Sequence, residues 1–94
     1  MDKASARKRA IDHLTTLVAN CTEALGATDI WADYEPRDRI RSQGLFRETR
    51  DVANRLLAAL EADGAISRAD WQRVMPHEAE WNDVFKVLQA QVHE

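Results

Sequence analysis

The feature that most constrains this sequence is a run of apolar residues between Leu45 and Gly64 that recurs with the period of an α-helix. Its apolar side chains follow i, i+3, i+4 and i+7 spacing; they are Leu45, Phe46, Val52, Ala53, Leu56, Leu57 and Leu60. Gly64 follows the last periodic residue, where a glycine can take the left-handed conformation that ends a helix. The run predicts a central amphipathic helix bounded by Gly44 and Gly64.

Two further stretches predict long helices. The first runs from about Ser5 to Leu25 and ends at Gly26. Its apolar arc consists of Ala10, Ile11, Leu14, Leu17, Val18, Cys21, Ala24 and Leu25. The second follows Pro76 and runs from about residue 77 to 92. Its apolar side is formed by Trp81, Val84, Phe85, Leu88 and Val92.

Shorter helices are expected between the long ones. In residues 28–44, Asp29 suits the N-cap of one short turn or helix through Tyr34. Pro36 suits the first turn of a second short helix ending near Gly44. After Gly64, Ser67 followed by Asp70 resembles a capping box that starts a short helix carrying Trp71.

Together these elements predict an all-α protein with a single helical domain over residues 1–94. The predicted architecture is a compact bundle of three main helices (about 5–25, 45–63 and 77–92) with two or three short connecting helices. Ninety-four residues suit one domain with one modest core. The predicted core consists of Leu14, Leu17, Val18, Cys21, Leu25, Phe46, Val52, Leu56, Leu60, Ile66, Trp71, Trp81, Val84, Phe85 and Leu88.

Charge and cysteine content exclude several classes of protein. The net charge is -3, so no global basic field favours nucleic acid or an anionic membrane. The one cysteine, Cys21, excludes an internal disulfide, and a reducing compartment fits best. No apolar run reaches the length of a signal-peptide core or a membrane span. We therefore expect a cytoplasmic protein that does not associate with membranes.

Metal and catalytic motifs are incomplete. Residues 59–70 resemble part of an EF-hand loop, but the first ligand position is Ala59 and the last is Asp70 where a glutamate is needed. His77 begins a pattern like the zinc-protease helix, but Trp81 stands where the second histidine belongs. His13, Cys21, His77 and His93 lack metal-ligand spacing. The sequence predicts no metal, no cofactor and no enzymatic activity.

The helix–turn–helix spacing around Gly64 also suggests DNA binding. Three packing positions of that module are occupied unsuitably, by Leu60, Asp70 and Arg73. The second helix offers few positive side chains for base or phosphate contacts. Ordinary packing of a helical hairpin explains the same pattern.

The connector between the first and central helices is the candidate binding site. It combines Trp31 and Tyr34 with Arg37, Arg39 and Arg41, and these residue types are enriched where binding energy concentrates at interfaces. The alternative is that Trp31, Tyr34 and Ile40 fasten the connector to the bundle while the arginines stay in water. The sequence leaves both interpretations open.

The predicted function is a small non-enzymatic protein-binding module, an adaptor or inhibitor that occupies a surface of a larger protein or complex. The Ala/Arg/Asp-rich composition suggests a bacterial or phage origin, in which blocking a larger host complex is a natural role. The alternative is a nucleic-acid-associated regulator, a monomer or homodimer, that uses the arginine connector together with Lys3, Arg7, Lys8 and Arg9. A third class is a subunit that assembles only with itself.

Overall fold

The computed structural model describes residues 1–90, which form four α-helices and no strand. Helix α1 spans Lys3–Gly26, α2 Pro36–Glu61, α3 Arg68–Val74 and α4 Ala79–Ala90, and a 3-10 helix spans Asp29–Trp31. The all-α prediction is confirmed. The predicted last turn around Val92 lies outside the described residues.

Helices α1 and α2 form a long antiparallel hairpin. Near its open end, Arg7 of α1 donates from Nε to the carbonyl oxygen of Leu60 at 3.1 Å. The molecule measures 50 × 22 × 18 Å, with a radius of gyration of 15.2 Å, whereas a compact chain of this length would have about 12 Å. The fold is therefore more elongated than the predicted compact bundle, because the hairpin extends beyond the short helices that pack on it.

The predicted helix boundary at Gly44 is wrong. Helix α2 starts with Pro36 in its first turn and continues through Gly44 to Glu61, so the second short helix and the central helix are one element. A glycine inside a helix costs only about 1 kcal/mol relative to alanine, which the turns on either side outweigh. At the other end the left-handed residue is Asp63, with φ 53°, and not Gly64; aspartate tolerates this conformation better than most residues.

Packing divides the molecule into two halves. The bundle half, residues 1–17 and 48–90, contains α3, α4 and the parts of α1 and α2 that they cover. The hairpin half, residues 18–47, consists of the remaining parts of α1 and α2 and the connector. Thirteen buried apolar residues form one cluster, entirely in the bundle half. In the hairpin half the buried residues are Cys21 and Trp31.

Most of the predicted core is buried, with instructive exceptions. Ten predicted residues are buried: Leu14, Cys21, Val52, Leu56, Leu60, Ile66, Trp71, Val84, Phe85 and Leu88. Leu17, Val18, Leu25 and Trp81 are half-buried. Phe46 is 36% exposed, so its assignment to the core is wrong; it lies beyond the reach of α3 and α4. Five further residues, absent from the predicted core, are also buried: Ala6, Ala10, Trp31, Ala53 and Met75.

Helix α3 is fixed to α2 through Asp70. The predicted cap is confirmed, since Ser67 Oγ accepts a hydrogen bond from the Asp70 backbone N–H at 3.2 Å. The Asp70 carboxylate in turn accepts two hydrogen bonds from the Arg55 guanidinium, at 3.1 and 3.2 Å. Arg55 therefore pairs between helices, and α3 is held on one defined side of α2.

Candidate functional site

Trp31 fastens the connector to the end of α1. Its side chain is only 5% exposed, and the indole Nε1 donates to the carbonyl oxygen of Ala24 at 2.8 Å. The last carbonyls of a helix lack partners within the helix, so this bond satisfies one of them. The indole ring also meets Tyr34 and Phe46 edge-on, with centroids 5.2 and 5.8 Å away. Trp31 thus leaves little surface for a partner and holds its neighbours in place.

The other predicted partner-binding residues are solvent-exposed. Tyr34 is 47% exposed, and Arg37, Arg39 and Arg41 are exposed in the first turns of α2. The structure does not bring the three arginines together. Arg37 and Arg41 are four residues apart and share a side of the helix, whereas Arg39, two residues from each, lies on the opposite side.

Arg39 belongs to a groove at the closed end of the hairpin. The groove has a volume of about 360 Å³ and is lined by Leu25, Trp31, Arg39 and Gln43 together with the loop that follows α1. It combines an apolar floor with a guanidinium and an amide at its edge. This composition suits an apolar side chain of a partner that carries a neighbouring acceptor.

Exposed apolar side chains are concentrated in the hairpin half, which the sequence prediction did not anticipate. Apart from Met1, the exposed large apolar residues are Ile30, Tyr34, Ile40, Leu45 and Phe46. One signal was available in the sequence. Ile40 and Leu45 are five residues apart, which at 3.6 residues per turn places them about 140° apart around α2. Both cannot face α1.

The N-terminal basic residues, predicted as an alternative nucleic-acid contact, have acceptors within the protein. Lys3 pairs with Asp63 at 3.7 Å and Lys8 with Asp12 at 3.3 Å. Arg7 donates to the Leu60 carbonyl. Arg9 pairs with Glu80 and lies over the Trp81 ring, 5.5 Å from its centroid. Lys3, Arg7 and Arg9 therefore contact neighbouring elements, whereas Lys8 pairs within α1.

The groups considered for chemistry are separated. Burial raises the pKa of the Cys21 thiol, and the nearby charge of Arg50 opposes this only in part, so the thiol stays protonated at neutral pH. His13 packs against Trp81 with the rings tilted by 50° and their centroids 4.8 Å apart. His77 is exposed, and His93 lies outside the described residues. Within residues 1–90, no group of three or more His, Cys, Asp or Glu side chains is placed to hold a metal ion.

Comparison with protein-family models, curated proteins and solved structures finds no match for this chain. Among the helices of residues 1–90, none combines the length and the apolar character needed to cross a bilayer.

Proposed function

We propose that this chain is a non-enzymatic protein-binding module, an adaptor or inhibitor that docks through its hairpin half onto a larger protein. The observation that carries the proposal is the distribution of exposed apolar side chains. Single exposed apolar residues are ordinary on any protein. Here five of them lie in one half of a small domain, and Met1 is the only other exposed large apolar residue among the described residues. Such a grouping is typical of interaction sites.

The distribution of ion pairs also supports docking through the hairpin half. The structure describes five ion pairs in residues 1–90, and all of them join residues of the bundle half. The arginines of the hairpin half, which are Arg37, Arg39, Arg41 and Arg47, have no carboxylate within 4.0 Å among the described residues. Arginine and tyrosine beside apolar side chains are typical of interface hot spots. Trp31 acts in this proposal as a positioning residue beneath Tyr34.

The test is affinity capture from cells that natively express the chain, with and without nuclease, comparing the parent with Ile40→Asp and Tyr34→Ala. We expect one stoichiometric protein partner that survives nuclease. Because a hot-spot substitution costs about 2 kcal/mol or more, we expect either variant to weaken binding about thirtyfold. The matched control is Gln72→Asp, which adds the same charge at an exposed position of α3.

Both variants should keep the melting temperature of the parent to within about 2 °C, since exposed substitutions change stability little. Equal partner recovery by the parent and both variants would overturn the assignment to the hairpin half. Trp31→Ala is not used for this test, because loss of a buried, hydrogen-bonded indole unfolds the connector itself.

The alternative, a nucleic-acid-associated regulator, now depends on the α2 arginines, because the four N-terminal cations have internal acceptors. It predicts binding to DNA or RNA that falls steeply as salt increases. Partners that disappear with nuclease, together with direct binding to nucleic acid at low salt, would replace our proposal with this one. Light scattering separates the third class, since a concentration-independent monomer excludes a purely self-assembling subunit.

A further inference from the structure

Helices α3 and α4 cover only one side of the α1–α2 hairpin. On that side Arg9 pairs with Glu80, Arg55 with Asp70 and Glu48 with Arg73. Two residues beyond Arg9, Glu48 and Arg55 in sequence stand Ile11, Arg50 and Leu57. Two residues correspond to about 200° around an α-helix, so the second set lies on the opposite side of the hairpin.

This opposite side carries a regular row of half-buried residues, which we call the open face. It consists of Ile11, Val18 and Leu25 on α1 and Gln43, Arg50 and Leu57 on α2. Each set repeats every seven residues, as the flank of a coiled-coil seam does. All six residues have intermediate exposure. Between Ile11 and Leu25 the row extends about 21 Å along α1, at 1.5 Å per residue.

The rim of the open face on α1 carries the short side chains of Thr15, Ala19 and Thr22, all exposed. Thr15 and Thr22 stand four residues after Ile11 and Val18. Lys8 and Asp12, seven residues before Thr15 and Ala19, extend the same rim and pair with each other at 3.3 Å. Short side chains let a neighbouring helix approach closely. Ile11, Val18 and Leu57 also pack against the buried cluster, so the row is the outer edge of the α1–α2 seam on the side away from α3 and α4. We call the row together with this rim the trough.

The positively charged side chains on the α2 side of the trough are arginines. Arg50 lies within it, near enough to the Cys21 thiol for its charge to act on that group. Arg39 lines the groove at one end, and Arg47 stands at the rim, three residues from Arg50. None of the three has a carboxylate within 4.0 Å in residues 1–90. Two acidic residues of α2 stand near this side: Asp51, four residues after Arg47, and Glu61, eleven residues beyond Arg50.

We propose that the open face binds an amphipathic, acidic α-helix of the partner protein, which packs lengthwise in the trough as a third long helix. This inference rests on the proposed function and specifies the partner's chemistry. Apolar residues of the partner helix pack against Val18 and Leu25, and its carboxylates pair with Arg39 and Arg50. A row of about 21 Å corresponds to about four helical turns. A second copy of this chain is disfavoured, because pairing two open faces brings like charges together.

The experiment places a photo-crosslinking amino acid at one of two positions of α1. Thr22 lies on the rim of the open face. Asn20, two residues away, lies on the opposite side of α1, which is the side that α3 and α4 cover further along the helix. Both positions are exposed and belong to α1 in the hairpin half, so they form a matched pair. After crosslinking in native host cells, the attached segment is sequenced by mass spectrometry. We expect Thr22 to capture a segment with heptad-spaced apolar residues flanked by Asp or Glu, and Asn20 to capture at least fivefold less of it.

Capture of a second copy of this chain at Thr22, or of a segment without that pattern, overturns the inference. Partner binding that persists with no crosslink at Thr22 also overturns it and leaves the proposed function intact. Absence of any protein partner removes both.

Charge reversal provides an independent readout with the captured segment as a synthetic peptide. We expect Arg39→Glu to weaken peptide binding at least tenfold at 0.1 M salt, with a smaller effect at higher salt because screening increases. Arg50→Gln, which removes charge without placing a carboxylate beside Cys21, should weaken it about three- to fivefold. Lys86→Glu, an exposed reversal on α4, should leave affinity unchanged. Equal affinities for all four proteins would overturn the inference.

Discussion

The two halves of this protein use the same pair of helices and reach opposite results. In the bundle half, α3 and α4 pack on the α1–α2 hairpin, so thirteen apolar residues are buried together. In the hairpin half no further helix covers α1 and α2, and the buried residues are Cys21 and Trp31. A pair of helices has a single contact seam, whereas three or more enclose a core. Whether an apolar side chain of α1 or α2 is buried therefore depends here on whether α3 or α4 covers it.

The two halves also differ in how many of their charged side chains form ion pairs. In the bundle half, Arg9, Arg55 and Arg73 pair with carboxylates on other elements, although Arg50 and Arg68 have no such pair among residues 1–90. Most such surface pairs stabilise a protein by only about 0.2–1 kcal/mol each, so they specify where α3 and α4 sit more than they hold them there. The hairpin half leaves its arginines available. Buried apolar packing is thus concentrated in the bundle half, and most exposed large apolar side chains lie in the hairpin half.

The largest expected effect compares two leucines of α2. Leu56 is 2% exposed and Leu45 is 58% exposed. We expect Leu56→Ala to lower the free energy of unfolding by about 2–5 kcal/mol, because it removes buried methyl groups and leaves a cavity. Leu45→Ala should change it by about 0.5 kcal/mol or less. Urea denaturation measures both, and equal losses would show that the two halves do not differ in packing as described.

A smaller effect is expected at the connector. Trp31→Phe keeps an aromatic ring against Tyr34 and Phe46 but removes the N–H that reaches the Ala24 carbonyl. We expect a loss of about 1 kcal/mol, the usual net contribution of one hydrogen bond. Hydrogen exchange at the end of α1 should rise while protection around Leu56 stays unchanged. Uniform loss of protection through both halves would contradict the local role of this bond.

Gly44 offers a substitution that should stabilise the hairpin half. It lies inside α2, and a Cβ built there meets no atom within 4 Å. Gly44→Ala should therefore raise the free energy of unfolding by about 0.5–1 kcal/mol through helix propensity alone. Gly26→Ala is the matched control: it has the same open surroundings but stands at the last residue of α1, where propensity counts less. A destabilised Gly44→Ala protein would contradict a continuous α2.

The smallest effect concerns acid pH at the start of α1. Asp2 accepts a hydrogen bond from the Ser5 N–H at 2.7 Å, and this backbone contact lowers the carboxyl pKa below its ordinary value of 3.8. The contribution is therefore present above the unfolded-state pKa and is lost as pH falls through the folded-state pKa. Asp2→Ser keeps a cap that does not titrate. The difference in melting temperature between parent and variant should shrink below about pH 4; a difference that grows on acidification would give the wrong sign.

Much of the fold could be predicted from periodicity, because the core of the bundle half follows helical spacing. Leu56, Leu60, Val84 and Phe85 were identified in this way and are buried. Ala6 was not identified, and Ala10 was placed on the apolar arc but not in the core, since alanine suits an exposed surface and a close helix contact equally well. Gly44 was wrongly taken as a helix boundary, because the low helix propensity of glycine takes no account of the helical turns on either side of it.

The candidate site was harder to predict, because its character comes from tertiary placement. Nothing local distinguishes Arg55, which pairs with Asp70 of α3, from Arg47, for which the described residues supply no such partner. Phe46 belongs to the same apolar run as Leu56 and differs only in lying beyond α3 and α4. Trp31 was predicted either to bind a partner or to fasten the connector, and the bond to Ala24 shows that it faces inward.

The placement of the tryptophans gives the protein a built-in optical readout. Trp71 and Trp81 lie in the bundle half, with ring centroids 6.4 Å apart, whereas Trp31 reports from the hairpin half beside Tyr34. In a Trp31→Phe protein the indole emission comes from the bundle half alone. Subtracting its spectrum from that of the parent isolates the emission of the hairpin half, so the proposed docking there can be tested without any attached dye.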